Sequence, residues 1–194
     1  MPASQRDFII IGQGLAGSIL AIELIKRGLS VFVLDNAPKG SSSKVAAGII
    51  NPITGHRLNL TEGFVDYFES AEQFYLYAER ILGQPFISEI AQSRLIKNQG
   101  QAKYFDKRLN EINYQSFLEI CGDVSPFKQT EFGCTTIKKT SLLDTKSLLS
   151  LSRRWLQDKE AYLEAKIDYS EIDFKESVSI SIAPPPKSPG IETL

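Results

Sequence analysis

Apolar and polar positions recur along this chain with two periods, and the period changes where the elements change. Residues 8–11 are a run of β-favouring apolar side chains and read as a strand. A helical segment follows, starting near Gly14, with Gly28 as its C′ stop. A second β-branched and aromatic run, 31–34, ends on Asp35. The three pieces make one βαβ unit, with parallel strands side by side. Between 61 and 82, Phe64, Phe68, Ala71, Tyr75, Ala78 and Leu82 fall on one helical stripe. Glu62, Asp66, Glu69, Glu72 and Glu79 lie mostly outside it, and Gly83 and Pro85 end the helix. This stripe reads as core packing in preference to the lining of a pocket.

Beyond it, 93–97 reads as a short strand and 101–110 as a solvated helix. Residues 132–138 alternate as a strand, with Phe132, Cys134, Thr136 and Lys138 on one side. Asp144 is the expected N-cap of a helix through Leu148, Leu149, Leu151, Trp155 and Leu156. The stretches 161–168 and 178–182 alternate with period two and read as strands. The last twelve residues hold four of the nine prolines. They cannot continue a central strand, because proline removes the ladder donor.

The glycines of the first unit carry the first chemical signal. Gly12, Gly14 and Gly17 stand at G-x-G-x-x-G spacing between strand and helix. Gly12 permits the turn, Gly14 lets a pyrophosphate approach the backbone, and Gly17 lets helix and strand pack closely. Free N–H groups at the helix start, with the helix dipole, favour phosphate there. Asp35 ends the second strand, where a carboxylate accepts hydrogen bonds from ribose hydroxyls and repels a 2′-phosphate, which argues against NADP. The loop after it holds Asn36, Pro38, Gly40 and Ser41, Ser42 and Ser43, then the small residues Ala46, Ala47 and Gly48. Small residues before Ile49 suit a backbone lying against a flat ring system, and equally an ordinary loop returning to a strand.

The pattern Gly12, Gly14, Gly17, Ala21, Leu24 and Gly28, followed by 41–52, resembles the FAD-dependent D-amino acid oxidase and glycine oxidase family. The resemblance is close over 7–57. It implies an α/β fold: a Rossmann-like FAD-binding βαβ domain with a partial α+β substrate domain, cut short at the C-terminus. It implies domains at 1–60 (FAD-binding unit and flavin loop), 61–140 (substrate domain), 141–182 (return to the FAD domain) and 183–194 (proline-rich tail). The implied cofactor is FAD, held by Gly12, Gly14, Leu15, Ala16, Gly17, Asp35, Asn36, Ser42, Ser43, Ala46, Ala47 and Gly48. In that family a hydride passes from the amine-bearing carbon to the flavin, water hydrolyses the imine, and an acceptor reoxidises the flavin. The cofactor supplies the hard chemistry. The family runs on well past the equivalent of Leu194, so this chain is expected to be the N-terminal half of such an enzyme. It is expected to bind FAD weakly alone, to turn over little, and to self-associate through an uncovered sheet edge.

Bulk properties narrow the alternatives. Net charge is -1, so electrostatics give no case for a nucleic-acid partner. No apolar run spans a bilayer and the first residues lack a signal-peptide core, so the expected location is the cytoplasm. Cys121 and Cys134 are then expected to be reduced core thiols. His56 is the only histidine, which leaves no metal site. His56 and Arg57 read as a solvated pair at a loop exit, and no catalytic residue is assigned. The expected partner is a small amine or amino-acid substrate. Two other readings stand: an NAD-dependent dehydrogenase with the same fingerprint, and a non-catalytic fragment.

Overall fold

The computed structural model describes residues 5–37, 40–121, 131–168, 170, 172–173 and 179–180. The proline-rich tail at 183–194 lies outside these residues. In chain order the elements begin with β1 (Phe8–Ile11), α1 (Leu15–Lys26), β2 (Val31–Asp35), α2 (Ser42–Val45), β3 (Ile49–Ile50), β4 (Ile53–Thr54) and β5 (Asn59–Leu60). They continue with α3 (Phe64–Leu82), β6 (Ile87–Leu95), α4 (Gln99–Leu109), a 3-10 turn (Ile112–Tyr114), β7 (Leu118–Ile120) and β8 (Cys134–Leu143). The last are α5 (Thr145–Asp158), β9 (Tyr162–Glu164), β10 (Ile172–Asp173) and β11 (Ser179–Ile180). The chain forms two compact units, Met1–Ala46 with Lys146–Leu194, and Ala47–Thr145.

In the first unit β1, β2 and β9 form a parallel sheet in that order, with Ile10 opposite Val33 and Asp35 opposite Glu164. The parallel pair and the helix starting after Gly14 are those the apolar runs predict. Arg27 caps α1, and Gly28 (φ +81°) takes the left-handed turn that releases the chain towards β2. Ala21, Leu24 and Ile25 of α1 and Trp155 and Leu156 of α5 pack with Ile10, Val31 and Val33, burying one face of the sheet. Where the strands begin, Asp7 and Ser30 close a reciprocal pair: Ser30 donates its N–H and Oγ to Asp7 Oδ2, and Asp7 N–H donates to Ser30 Oγ. These bonds hold the exposed Asp7 carboxyl below its ordinary value.

The second unit is an antiparallel sheet, β3-β8-β6 with β7 also on β8, over a core of Ile53, Leu58, Phe64, Ile96, Phe105, Tyr114, Phe117 and Ile137. The aromatic stripe of α3 behaves as core: Phe64, Tyr75 and Ala78 are buried. Strand β8 runs past the residue where alternation fails, because the ladder slips between Ile90/Thr140 and Gln92/Ile137. Lys139 sits at the slip with φ +54°. The slip resets the phase. Thr135 and Ile137 face inward, Lys138 and Lys139 are both exposed, and Thr140 is buried again.

One expectation is corrected here. Cys121 and Cys134 are joined in a disulfide rather than held as thiols. The β7–β8 register puts them on adjacent antiparallel chains, where Cys121 N–H donates to Cys134 O and the Cα atoms lie 5.4 Å apart. That separation is within disulfide range, and sequence spacing alone does not reveal it. Among the described residues, no helix is long and apolar enough to cross a membrane.

Candidate functional site

The site is built at the edge of the first unit's sheet. Gly12 turns the chain at φ +100° and donates its N–H to Leu34 O at 2.7 Å, closing the end of β1 onto β2. The next residue, Gln13, donates its backbone N–H to Asp35 Oδ1 at 3.0 Å. The loop and the acid at the end of β2 are therefore one hydrogen-bonded structure, made of groups 22 residues apart.

The three fingerprint glycines have different reasons. A Cβ at Gly17 would strike the carbonyl oxygen of Gly12 and approach Ile10, so this glycine lets α1 pack on the strand. A Cβ at Gly14 would meet only Ser43 Oγ, at 3.3 Å. The chain's own packing does not require glycine there, and the space suits an approaching phosphate. Gly14 caps α1 without any side-chain bond, and the first turn carries no acid. Leu15 N–H donates to Ser43 Oγ at 3.1 Å, which ties the serine loop to the helix start.

Asp35 is buried, 7% exposed. Its Oδ2 accepts Ala37 N–H at 2.9 Å and Arg153 Nη2 at 3.0 Å. Arg153 also donates from Nε to Gln13 Oε1 at 2.9 Å. The Gln13 amide donates to Leu149 O at 2.8 Å and to Ser18 Oγ at 3.0 Å. The guanidinium lies over the Tyr162 ring, 5.1 Å from its centroid. Burial pushes the Tyr162 phenol up to about 12, against a smaller opposing pull from Arg153. Its hydroxyl is buried without a hydrogen-bond partner among the described residues. Beside this network is a cavity of about 490 Å³ lined by Gln13, Lys44, Lys146, Arg153, Arg154 and neighbouring residues of α5. Four of those side chains are cationic and none is acidic, a lining suited to a phosphorylated ligand.

The residues predicted for cofactor contact fall as follows. Gly12, Gly14, Leu15, Ala16, Gly17, Asp35, Ser42 and Ser43 belong to the first unit, with exposed Asn36 and Ala46. Ala47 and Gly48 belong to the second. There Gly48 (φ +74°) accepts the N–H of Leu143, and a Cβ on it would collide with the Leu143 carbonyl. Strand pairing by itself accounts for that glycine. His56 and Arg57 sit exposed at the turn between β4 and β5, with Arg57 near the Tyr104 ring. Sequence reasoning missed Gln13, Arg153 and Tyr162. Gln13 occupies a variable place in the glycine motif, and the other two arrive through α5 and β9, more than a hundred residues later.

Comparison with known proteins gives the family and the fold. Residues 7–129 match the family model described as FAD dependent oxidoreductase, DAO. Glycine oxidase from Bacillus cereus ATCC 14579 superposes with a TM-score of 0.66 at 15% identity, over 91% of this chain and 54% of that one. L-amino acid deaminase from Proteus myxofaciens, in complex with anthranilate, gives a TM-score of 0.65 at 15% identity, over 92% of this chain and 42% of that one. NikD, an amino acid oxidase essential for nikkomycin biosynthesis, gives 0.64 at 16%, over 91% and 47%. At such identities the likeness is one of fold. A fructose dehydrogenase large subunit from Gluconobacter japonicus is 46% identical over 39 residues, which are 20% of this chain and 7% of that protein. The chain spans about half the length of the solved structures it matches.

Proposed function

The chain belongs to the family of FAD-dependent oxidoreductases, and on that premise we propose that its first unit holds the adenosine and diphosphate of FAD for oxidation of a C–N bond in an amino acid or amine. The observation that carries this reading is the bond from Gln13 N–H to Asp35. It fixes a ribose-binding carboxylate against the glycine turn, beside a helix start with room at Gly14.

In this reading Asp35 accepts from the ribose, the N–H groups at the start of α1 face the diphosphate, and Lys44 and the cations of α5 offset its charge. Ser42 and Ser43 hold the loop against the helix start, while Asn36 and Ala46 extend the contact surface of the first unit. When bound, FAD accepts the two electrons of substrate oxidation. The substrate is a small amine or amino acid, the class named for the solved relatives. Apolar side chains left exposed on β1, Ile9 and Ile11, support self-association.

The test is to titrate the purified chain with FAD and follow the flavin spectrum. Hydrogen peroxide release is then assayed across glycine, sarcosine and sets of D- and L-amino acids. Saturable flavin binding is the expected result. A chain that ignores FAD but binds NAD would overturn the reading.

A further inference from the structure

We propose that Arg153 is a positioning residue for the adenosine half of the cofactor, and that it acts through Asp35. The inference rests on the FAD reading above.

A carboxylate offers about four lone-pair positions. Those of Asp35 receive Gln13 N–H, Ala37 N–H and Arg153, leaving one acceptor position for a ligand hydroxyl. Two of the three donors are neutral amides; Arg153 brings the positive charge. The pair is largely shielded from water, with the Asp35 side chain 9% and the Arg153 side chain 24% exposed. The acid opposite in the sheet register, Glu164 of β9, has the same sign as Asp35 and cannot replace the guanidinium.

The guanidinium is itself held from two further directions. Its Nε is bonded to Gln13 Oε1, and its plane lies over Tyr162. One side chain on α5 thus ties together the glycine turn, the end of β2 and β9. A planar fork can reach Gln13 and Asp35 at once, whereas a lysine ammonium offers a single point of charge. Without Arg153 the buried carboxylate has no cation beside it and is free to turn from the ligand. Gln13 Oε1 loses its donor at the same time.

The experiment is calorimetric titration of the chain with ADP, for the adenosine half, and with FMN, for the flavin half. The variants are R153M, R153K, D35N and the double variant R153M/D35N, each with its thermal unfolding recorded. We expect R153M to bind ADP at least tenfold more weakly and FMN unchanged, with R153K recovering only part of the loss. In the D35N background, R153M adds less than a twofold change, because the residue through which it acts is already gone. An equal cost in both backgrounds, or unchanged ADP affinity in R153M, overturns the proposal. If R153M does not fold, R153K and R153K/D35N carry the same cycle. Wild-type protein that binds neither FAD nor ADP overturns the FAD reading and this inference together. Wild type that binds both while R153M matches it removes this inference alone.

Discussion

Both units bury polar side chains, and they satisfy them differently. In the second unit Thr135 and Thr140 are fully buried. Each gives its hydroxyl to a carbonyl on a neighbouring strand, Thr135 to Glu119 O and Thr140 to Ile90 O. Those bonds close a sheet on itself. In the first unit buried Gln13 and Asp35 bond across long stretches of chain to α5, with buried Ser18 joined to Gln13, and the network keeps open positions. Asp35 retains an acceptor position, and among the described residues the Tyr162 hydroxyl has no partner, as is also true of Arg108 Nε in the second unit. Native interiors leave few such groups unsatisfied without a reason. The threonine bonds stabilise a sheet, whereas the acceptor position left on Asp35 is the one the proposed cofactor site uses.

The glycines test this contrast most severely. Gly17→Val and Gly48→Val each drive a side chain into a backbone carbonyl, and each should destabilise its unit by about 3 kcal/mol or more in denaturant unfolding. Gly14→Val should cost less than about 1 kcal/mol in stability, since its Cβ meets only a serine hydroxyl, while ADP affinity falls more than about tenfold. Equal destabilisation by Gly14→Val and Gly17→Val would show that the space at Gly14 serves packing.

Next in size is the disulfide. Opening it by Cys134→Ser should cost about 3 kcal/mol, for a link across a sequence separation of 13 residues, and should leave ADP binding in the first unit unchanged. Unfolding midpoints with and without reductant check this. Asp35→Ala should weaken ADP binding by about 1.5–3 kcal/mol, the range for a hydrogen bond to a charged group. Calorimetry showing wild-type affinity in this variant would remove Asp35 from the site.

The smallest effect is a pH dependence that separates the units. Burial raises the phenols of Tyr162, to about 12, and of Tyr75. A phenol that stays protonated in the fold but ionises near the ordinary tyrosine value of 10.0 in the unfolded chain contributes stability that is complete below pH 10. That contribution is lost as pH rises towards 12. Tyr162→Phe should flatten this loss for the first unit, and Tyr75→Phe for the second. An unchanged alkaline slope in both variants would count against burial as its cause.

The βαβ unit was readable from the chain because its information is local. A strand run, glycines at fixed offsets and an acid at the next strand's end lie within 29 residues, from Asp7 to Asp35. Glycine conformation and helix periodicity act over that range without help from the rest of the fold. The core role of the α3 stripe was legible for the same reason. The full length of β8 was not, because a bulge interrupts the period on which strand reading depends.

What the sequence by itself determined is the family's fingerprint and the carboxylate at position 35. Only the tertiary structure decided the disulfide and the use of Gly48, because both depend on strand register across β8. It also decided which cation meets Asp35. Arg153 lies 118 residues away on a helix whose own pattern marks it simply as polar, and the return of α5 and β9 beside β2 brings it there. Charge pairing between distant residues is a property of topology, and no local period encodes it.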